Sequence, residues 1–286
     1  MRSQFARLAV AAALAALTSA PSAAQDPDIT AALHWRSIGP VRAGRARAAV
    51  GVPQHANTFY AGFDNGGVWR TTDFGSTWTP IFDKESTGSI GAIAVAPSNP
   101  MIIYVGSGAA IIRPDLATGD GMYKSTDGGR TWTHLGLRES QMIAWIDVDP
   151  RNPDRLFVAA LGHPYGPNAE RGIFRSTDGG KSFQKVLYTD EYTSGNDVRI
   201  DPENPDVVYA AMWQQQQTFY EGSDFPSSVG VTTGGIYKST DGGTTWRQLT
   251  DGLPKIIEAN LAIAPSNPRV LYATVAGQAA PDVAGG

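Results

Sequence analysis

The sequence predicts an all-β fold, a β-propeller of four-stranded antiparallel blades with Asp-box hairpins, and three observations predict it. An eight-residue box of the form Ser/Thr-x-Asp-x-Gly-x-Thr/Ser-Trp/Phe occurs four times, at 71–78, 125–132, 176–183 and 239–246. Between the boxes an apolar alternation ends in Pro and is followed seven residues later by an aromatic, at Pro53 and Tyr60, Pro97 and Tyr104, Pro150 and Phe157, Pro202 and Tyr209, and Pro265 and Tyr272. The composition is that of short aromatic strands joined by many turns, with Gly 32, Pro 19, Tyr 10, Phe 10 and Trp 7 in 286 residues.

Each repeat divides into four strands, A to D. Strand A carries the alternation of period two, as in Ile93, Val95 and Pro97 or Val198, Ile200 and Pro202. Pro-Ser-Asn-Pro, Pro-Arg-Asn-Pro and Pro-Glu-Asn-Pro are turn chemistry leading into strand B, which passes through the aromatic. Strand C opens on Gly, at Gly67, Gly121, Gly172 and Gly235, and the box Asp follows six residues later at Asp73, Asp127, Asp178 and Asp241. Strand D leaves the box aromatic, Trp78, Trp132, Phe183 or Trp246. In a tight C–D hairpin the hydroxyl and carboxylate can satisfy loop backbone groups and Gly supplies positive φ, so these Asp residues are expected to be scaffold.

A four-stranded meander cannot bury both faces alone, so such units must stack. A β-sandwich gives no reason for the 51 to 63 residues that separate successive box Asp residues. Repeats are expected at about 46–84, 90–138, 143–189 and 196–252, with a partial one at 259–277. Trp35 stands 18 residues before Pro53, the step found elsewhere from box aromatic to Pro, so 33–40 is expected to be an isolated strand D. With 14 residues after Tyr272, the units are expected to form an incomplete ring, the front portion of a longer propeller.

Arg2 and Arg7, the apolar run Leu8–Leu17 and Ser22-Ala23-Ala24 before Gln25 have the layout of a cleaved export signal over 1–24, too short to span a bilayer comfortably. A secreted or periplasmic chain from Gln25 onward is expected, with no integral membrane segment after cleavage. Without Arg2 and Arg7, 21 basic residues face 27 acidic ones, which gives no electrostatic reason to expect nucleic acid as a partner. The absence of Cys excludes disulfides and thiolate chemistry.

Only the step from strand-B aromatic to strand-C Gly varies, from seven residues (60 to 67) to twenty-six (209 to 235). In an A-B-C-D meander the B–C and D–A connections share one face, and loops of variable length on a rigid scaffold are where binding chemistry usually lies. Asp64, Asp120 and Glu170 each precede strand C of successive repeats and are the candidate catalytic carboxylates. Arg113, Asp115, His163, Tyr165, Arg171, Trp213 and Tyr220 complete the expected ligand-binding rim. Acids and aromatics on a concave rim suit a glycan, with a peptide as the other candidate ligand. The alternative for Asp64 and Asp120 is a turn role beside Gly. His34, His55, His134 and His163 have no metal-ligand spacing, and no metal or cofactor is expected. Gly180-Lys181-Ser182 is part of a box, with Arg175 where a phosphate loop would have its first Gly.

The four boxes, with Gly66-Gly67-Val68-Trp69-Arg70, the run 121–129 and Gly162-His163-Pro164-Tyr165-Gly166-Pro167-Asn168, resemble the bacterial BNR/Asp-box proteins described as glycosyl hydrolase-like or sortilin-like. The resemblance covers nearly all of the chain from Gln25. It implies the propeller fold and, more broadly, a family that includes sialidases, xyloglucanases, sortilin-type receptors and photosystem assembly factors. Asp64-Asn65-Gly66-Gly67-Val68-Trp69 is similar to the segment that holds one catalytic Asp in xyloglucanase-type propellers, which implies Asp64 as an acid or base. In those enzymes the partner carboxylate comes from a second propeller, absent from these 286 residues. A sialidase-like site would need three arginines on a carboxylate and a Tyr/Glu nucleophile pair; Arg42, Arg45 and Arg47 lie close in sequence. Two readings remain open: a propeller that binds a glycan or peptide on its B–C face, and an active glycoside hydrolase using rim carboxylates.

Overall fold

A computed structural model describes residues 44–110, 117–163, 166–214 and 233–277. The expected leader over 1–24, the strand at 33–40, and Arg42, Arg113, Asp115, Tyr165 and Tyr220 lie outside the described residues. The described chain is all-β, interrupted by a single 3₁₀ turn at Arg138–Ser140.

Four sheets of four strands follow in chain order. Blade 1 is β1 (Arg45–Val52), β2 (His55–Asp64), β3 (Gly67–Thr71) and β4 (Thr79–Pro80). Blade 2 is β5 (Ile90–Val95), β6 (Ile103–Ser107), β7 (Met122–Ser125) and β8 (Thr133–Gly136). Blade 3 is β9 (Ile143–Val148), β10 (Leu156–Ala160), β11 (Gly172–Ser176) and β12 (Gln184–Leu187). Blade 4 is β13 (Thr193–Ile200), β14 (Val208–Gln214), β15 (Gly235–Ser239) and β16 (Arg247–Leu249), and β17 (Ile256–Ile263) with β18 (Leu271–Gly277) forms a two-stranded fifth. Every neighbour is antiparallel; Tyr104 pairs with Lys124 and Tyr123 with His134, so strands B, C and D of blade 2 adjoin.

The sequence alternation suggests strands with one buried and one wet face. β5, β6 and β10 are instead buried at every residue, because a blade lies on each side of them. Among the described residues an apolar cluster lies at each of the four boundaries between blades. Tyr60, Val68 and Phe82 of the blade 1 side meet Ile103, Val105 and Tyr123 of blade 2. Tyr104 and Met122 meet Ile146, Val158 and Phe174; Phe157 and Ile173 meet Val198 and Val208; Ala211 and Ile236 meet Ala259 and Leu261. A fully buried Val, Ile or Phe contributes about 1.5–3 kcal/mol against about 1 kcal/mol for one hydrogen bond, so these seams dominate the stability.

The inner strand of each blade carries a β-bulge. The skipped residues are Arg47, Gly91, Ala144 and Asn196, each six before the Pro that ends strand A, and Ile257 in the fifth blade. A bulge re-aims one side chain while keeping the ladder, and here it aims residues at the next blade. Asn196 Nδ2 donates to Ala259 O at 2.8 Å and Arg47 Nη2 to Ala110 O at 2.5 Å. At Gly91 a Cβ would lie 2.1 Å from Ile143 O, so only glycine fits there.

The four boxes close identically. In the second, Ser125 Oγ donates to Asp127 Oδ1 (2.8 Å) and accepts from Gly129 N (2.8 Å), while Asp127 accepts from Thr131 N (2.9 Å) and Thr131 Oγ1 (2.7 Å). The same bonds hold Asp73, Asp178 and Asp241. Hydrogen bonds from the Thr77 side chain and backbone lower the Asp73 carboxyl to about 2, and the other three are also held below the usual carboxylate range by the equivalent Thr or Ser. The box backbone also packs on the preceding blade. Gly243, at φ +84°, would place a Cβ 2.6 Å from the Phe157 ring. Gly243→Ala is therefore expected to lower unfolding free energy by about 2 kcal/mol in urea titration.

Candidate functional site

The B–C and D–A connections place their side chains around one mouth of the bundle of inner strands. Asp64 is the last residue of β2, opposite Arg45 of β1, and is buried. Its Oδ1 shares the Ser89 hydroxyl (3.3 Å) with Ala117 O (2.9 Å). Ser89 ends the D–A loop of blade 1, so this loop fixes Asp64 from above.

Asp120 faces the same loop from blade 2. Its carboxylate accepts from Ser86 Oγ (2.6 Å), from Tyr123 OH (2.8 Å to each oxygen) and from Arg138 Nη1 (3.2 Å), and His134 Nε2 meets its backbone carbonyl at 2.7 Å. Burial alone would raise this carboxyl, but the Ser86 and Tyr123 bonds and the positive charge of His134 and Arg138 bring it below its ordinary value. Burial pushes the Tyr123 phenol up to about 12. Beside them stands Glu85, raised by burial and by the Asp120 charge. Asp120 is thus a tie between the blade 1 loop and blade 2, with its acceptor capacity largely engaged.

Glu170 is half-buried one blade further round, its amide bonded to Asn168 Oδ1 at 2.6 Å. Arg171, expected on the rim, is wholly buried. Its guanidinium donates to Leu161 O (2.7 Å), Ser194 Oγ (2.5 Å), His163 O (2.9 Å) and Gly166 O (3.2 Å), clamping the blade 3 loop rather than facing solvent. Burial lowers its pKa to about 10. His163 is half-buried and contributes its carbonyl to that clamp.

Trp213, at the end of β14, is half-buried against Ala110, Met142 and Leu161, and its indole N–H is buried without a hydrogen-bond partner among the described residues. Across the mouth Arg47 is aimed by its bulge. Burial lowers its pKa, while the charges of Asp64 and Glu258 oppose that shift. Glu258, on β17, is raised by burial, in part offset by a bond with Asn260 and by Arg47. Arg47 thus lies within electrostatic reach of both Asp64 and Glu258. Glu85, Ser86 and Ser89 lie in a D–A connection, which the meander already assigned to this face; Glu258 on an inner strand had no comparable signal. No group of three or more His, Asp or Glu able to hold a metal occurs among the described residues, and no helix among them is long and apolar enough to cross a membrane.

Deeper between the blades, Asp147 Oδ2 accepts Ile200 N (2.7 Å) of the next inner strand, and Asp197 Oδ2 accepts Leu261 N (2.7 Å) of the one after. Arg199 pairs with Asp197 (2.9 Å) and stacks 3.7 Å from the Trp145 ring centre. Burial raises Asp147 to about 7, with the Ile200 bond and Arg199 opposing and Asp197 adding to the rise. A folded-state pKa above the ordinary 3.8 means that the folded chain holds this proton more tightly, so this group's contribution to stability is fully present below about pH 4 and is lost as pH rises through about 7. Asp147→Asn, which keeps an acceptor for Ile200 N, is expected to be more stable than the parent by about 1–3 kcal/mol at pH 8, and near parity at pH 4, in denaturant titrations at both pH values.

Comparison with known proteins places the chain among Asp-box propellers. The family model Sortilin-Vps10, described as sortilin, neurotensin receptor 3, matches residues 120–274. A xyloglucanase of Paenibacillus sp is 28% identical over 267 residues, 82% of this chain and 24% of the relative. Xyloglucanase Xgh74A of Acetivibrio thermocellus is 27% identical over 239 residues, 75% of this chain and 26% of the relative. The crystal structure of an ancestral GH74 enzyme superposes with a TM-score of 0.65 at 26% identity, over 86% of this chain and 29% of that one. The chain thus spans about a quarter of the length of the curated relatives it matches.

Proposed function

We propose, for a chain that belongs to the Sortilin-Vps10 family of Asp-box propellers, that it is an exported module binding a glycan at the B–C mouth. The fold and the relatives make it glycosyl hydrolase-like; the ligand and the export are this reading's own. One observation carries it: at the B–C end half-buried Trp213 packs on Ala110, whose carbonyl accepts from Arg47, and Arg47 feels the charges of both Asp64 and Glu258. Sugars offer apolar faces to rings and hydroxyls to polar groups, and an aromatic beside charge-balanced polar groups matches both. The xyloglucanase relatives favour a neutral β-glucan such as xyloglucan as the ligand class. Export follows from the expected leader over 1–24.

The second reading is hydrolysis. What favours it is Glu258, whose raised pKa suits a proton-holding acid, with Asp64 bearing on the same Arg47. Glycoside hydrolysis needs two carboxyl groups about 5–10 Å apart, one for the leaving oxygen and one for water or the sugar carbon.

Titration calorimetry of the whole chain with xyloglucan oligosaccharides, beside a reducing-end assay, separates the readings. Binding is expected, weakened at least tenfold by Trp213→Ala and less than threefold by Asp64→Asn, with no release of reducing ends. Release that drops about a hundredfold in both Asp64→Asn and Glu258→Gln establishes the hydrolase instead. No heat with any oligosaccharide removes the glycan proposal.

A further inference from the structure

The first seam lacks an acid that the next two carry. A box glycine donates its amide to the A–B turn of its own blade, Gly128 N to Met101 O (3.0 Å), Gly179 N to Asp154 O (2.8 Å) and Gly242 N to Asp206 O (2.9 Å), so Met101, Asp154 and Asp206 hold one structural position. The carbonyl of the same glycine accepts from a strand-C cation of the preceding blade, Arg70 (3.3 Å), Lys124 (3.1 Å) and Arg175 (2.7 Å) in turn. Cation and turn residue thus approach one glycine at each of these seams. Lys124 Nζ meets the Asp154 carboxylate at 3.2 Å, and Asp206 Oδ1 would lie 3.5 Å from a Cβ on Gly242. Arg70 has Met101 in that place, and among the described residues no carboxylate pairs with it.

Between blades 1 and 2 lies a groove of about 490 Å³, on the face of the A–B and C–D turns and opposite the mouth. Both blades have all four strands, so its walls do not depend on either end of the sequence. Arg70 and Arg130 line it with His55, Thr58 and Thr72. The acid in its wall, Asp127, is already engaged, accepting from Ser125 Oγ, Arg130 N, Thr131 N and Thr131 Oγ1. The apolar surface it offers is methionine rather than aromatic: Met101 is 43% exposed, whereas Tyr60 is 4% exposed.

We propose that this groove binds an acidic protein segment, seating one carboxylate side chain against Arg70 as Asp154 seats its own against Lys124 at the next seam. The inference is independent of the glycan reading. A guanidinium takes a carboxylate through paired, charge-assisted hydrogen bonds, and the second guanidinium, Arg130, adds to the attraction. Methionine is flexible and polarizable, so Met101 suits the aliphatic stem of a Glu and an apolar neighbour beside it. A uronic acid brings the same carboxylate on a sugar ring, which wants an aromatic face that the buried Tyr60 does not present. The partner is therefore a Glu flanked by apolar residues.

Titration calorimetry of the whole chain tests it with three probes: an acetylated and amidated peptide Gly-Leu-Glu-Leu-Gly, its Gln counterpart, and sodium glucuronate. The Glu peptide is expected to bind at least tenfold more tightly than either of the others. Met101→Asp, which builds the acid of the next seam into the chain, and Arg70→Gln, which removes the cation, are each expected to weaken that binding at least tenfold, and Arg70→Lys to weaken it less than Arg70→Gln. Met101 is exposed, so its substitution retains the fold, as circular dichroism checks, and it carries the test if Arg70→Gln misfolds. Equal binding of the Glu and Gln peptides, an affinity unchanged by Met101→Asp, or no heat with any probe overturns the proposal. Glucuronate binding as tightly as the Glu peptide overturns it in favour of an acidic glycan.

Discussion

A four-stranded sheet has two faces and no interior, and burial of each sheet against the next is the interaction on which this molecule depends. The outer strands are too short to form a core of their own: β4 and β16 have two and three residues. What holds them is the box, which lays a rigid hairpin on the preceding sheet, and the strand-B aromatic and strand-C cation that reach the following one. The box hydrogen bonds are therefore means of shaping a surface for packing. Their lowered carboxyl groups add stability that is present above the ordinary carboxylate range and is lost as acid protonates them.

The mouth follows from the same constraint. Once both fixed-length hairpins are committed to seams, the remaining connections are free to vary, and the inner-strand bulges turn single residues out of the ladder. Where the bulge residue is Gly91 the next blade comes close; where it is Arg47 a charge is placed among Asp64, Glu258 and the Ala110 carbonyl. Asp120 and Arg171 show the other use of polar groups at this face. Each is engaged by several partners from neighbouring loops, so each holds loops in place, and Trp213, Glu258 and Glu85 are half-buried groups left at the same face.

Much of the fold was legible because strand and turn lengths are local properties. The step of seven from Pro53 to Tyr60, or of six from Gly121 to Asp127, is the length of one hairpin and appears directly in the chain. The mouth was less legible because its members meet through stacking. Arg171 stands beside Glu170 in sequence, yet one is buried under the carbonyls of 161, 163 and 166 while the other is half-exposed, a difference set by how the blade 3 loop folds over. Glu258 belongs to an inner strand with no acid at the corresponding place in blades 1 to 3, so periodicity offered no pointer to it. The bulges too are invisible in composition, since Arg, Gly, Ala and Asn occupy the four equivalent positions.

If seams carry the stability, protection should depend on how many neighbours a blade has and not on where a strand lies within its blade. Native-state hydrogen exchange resolves this strand by strand. Amides of β5, β6, β9, β10, β13 and β14, each in a blade flanked on both sides, should exchange only through global unfolding, whereas β1, β2 and β18 should open at lower free energy. Equal protection of the first blade and the middle three, or protection that falls from strand A to strand D alike in every blade, contradicts the account.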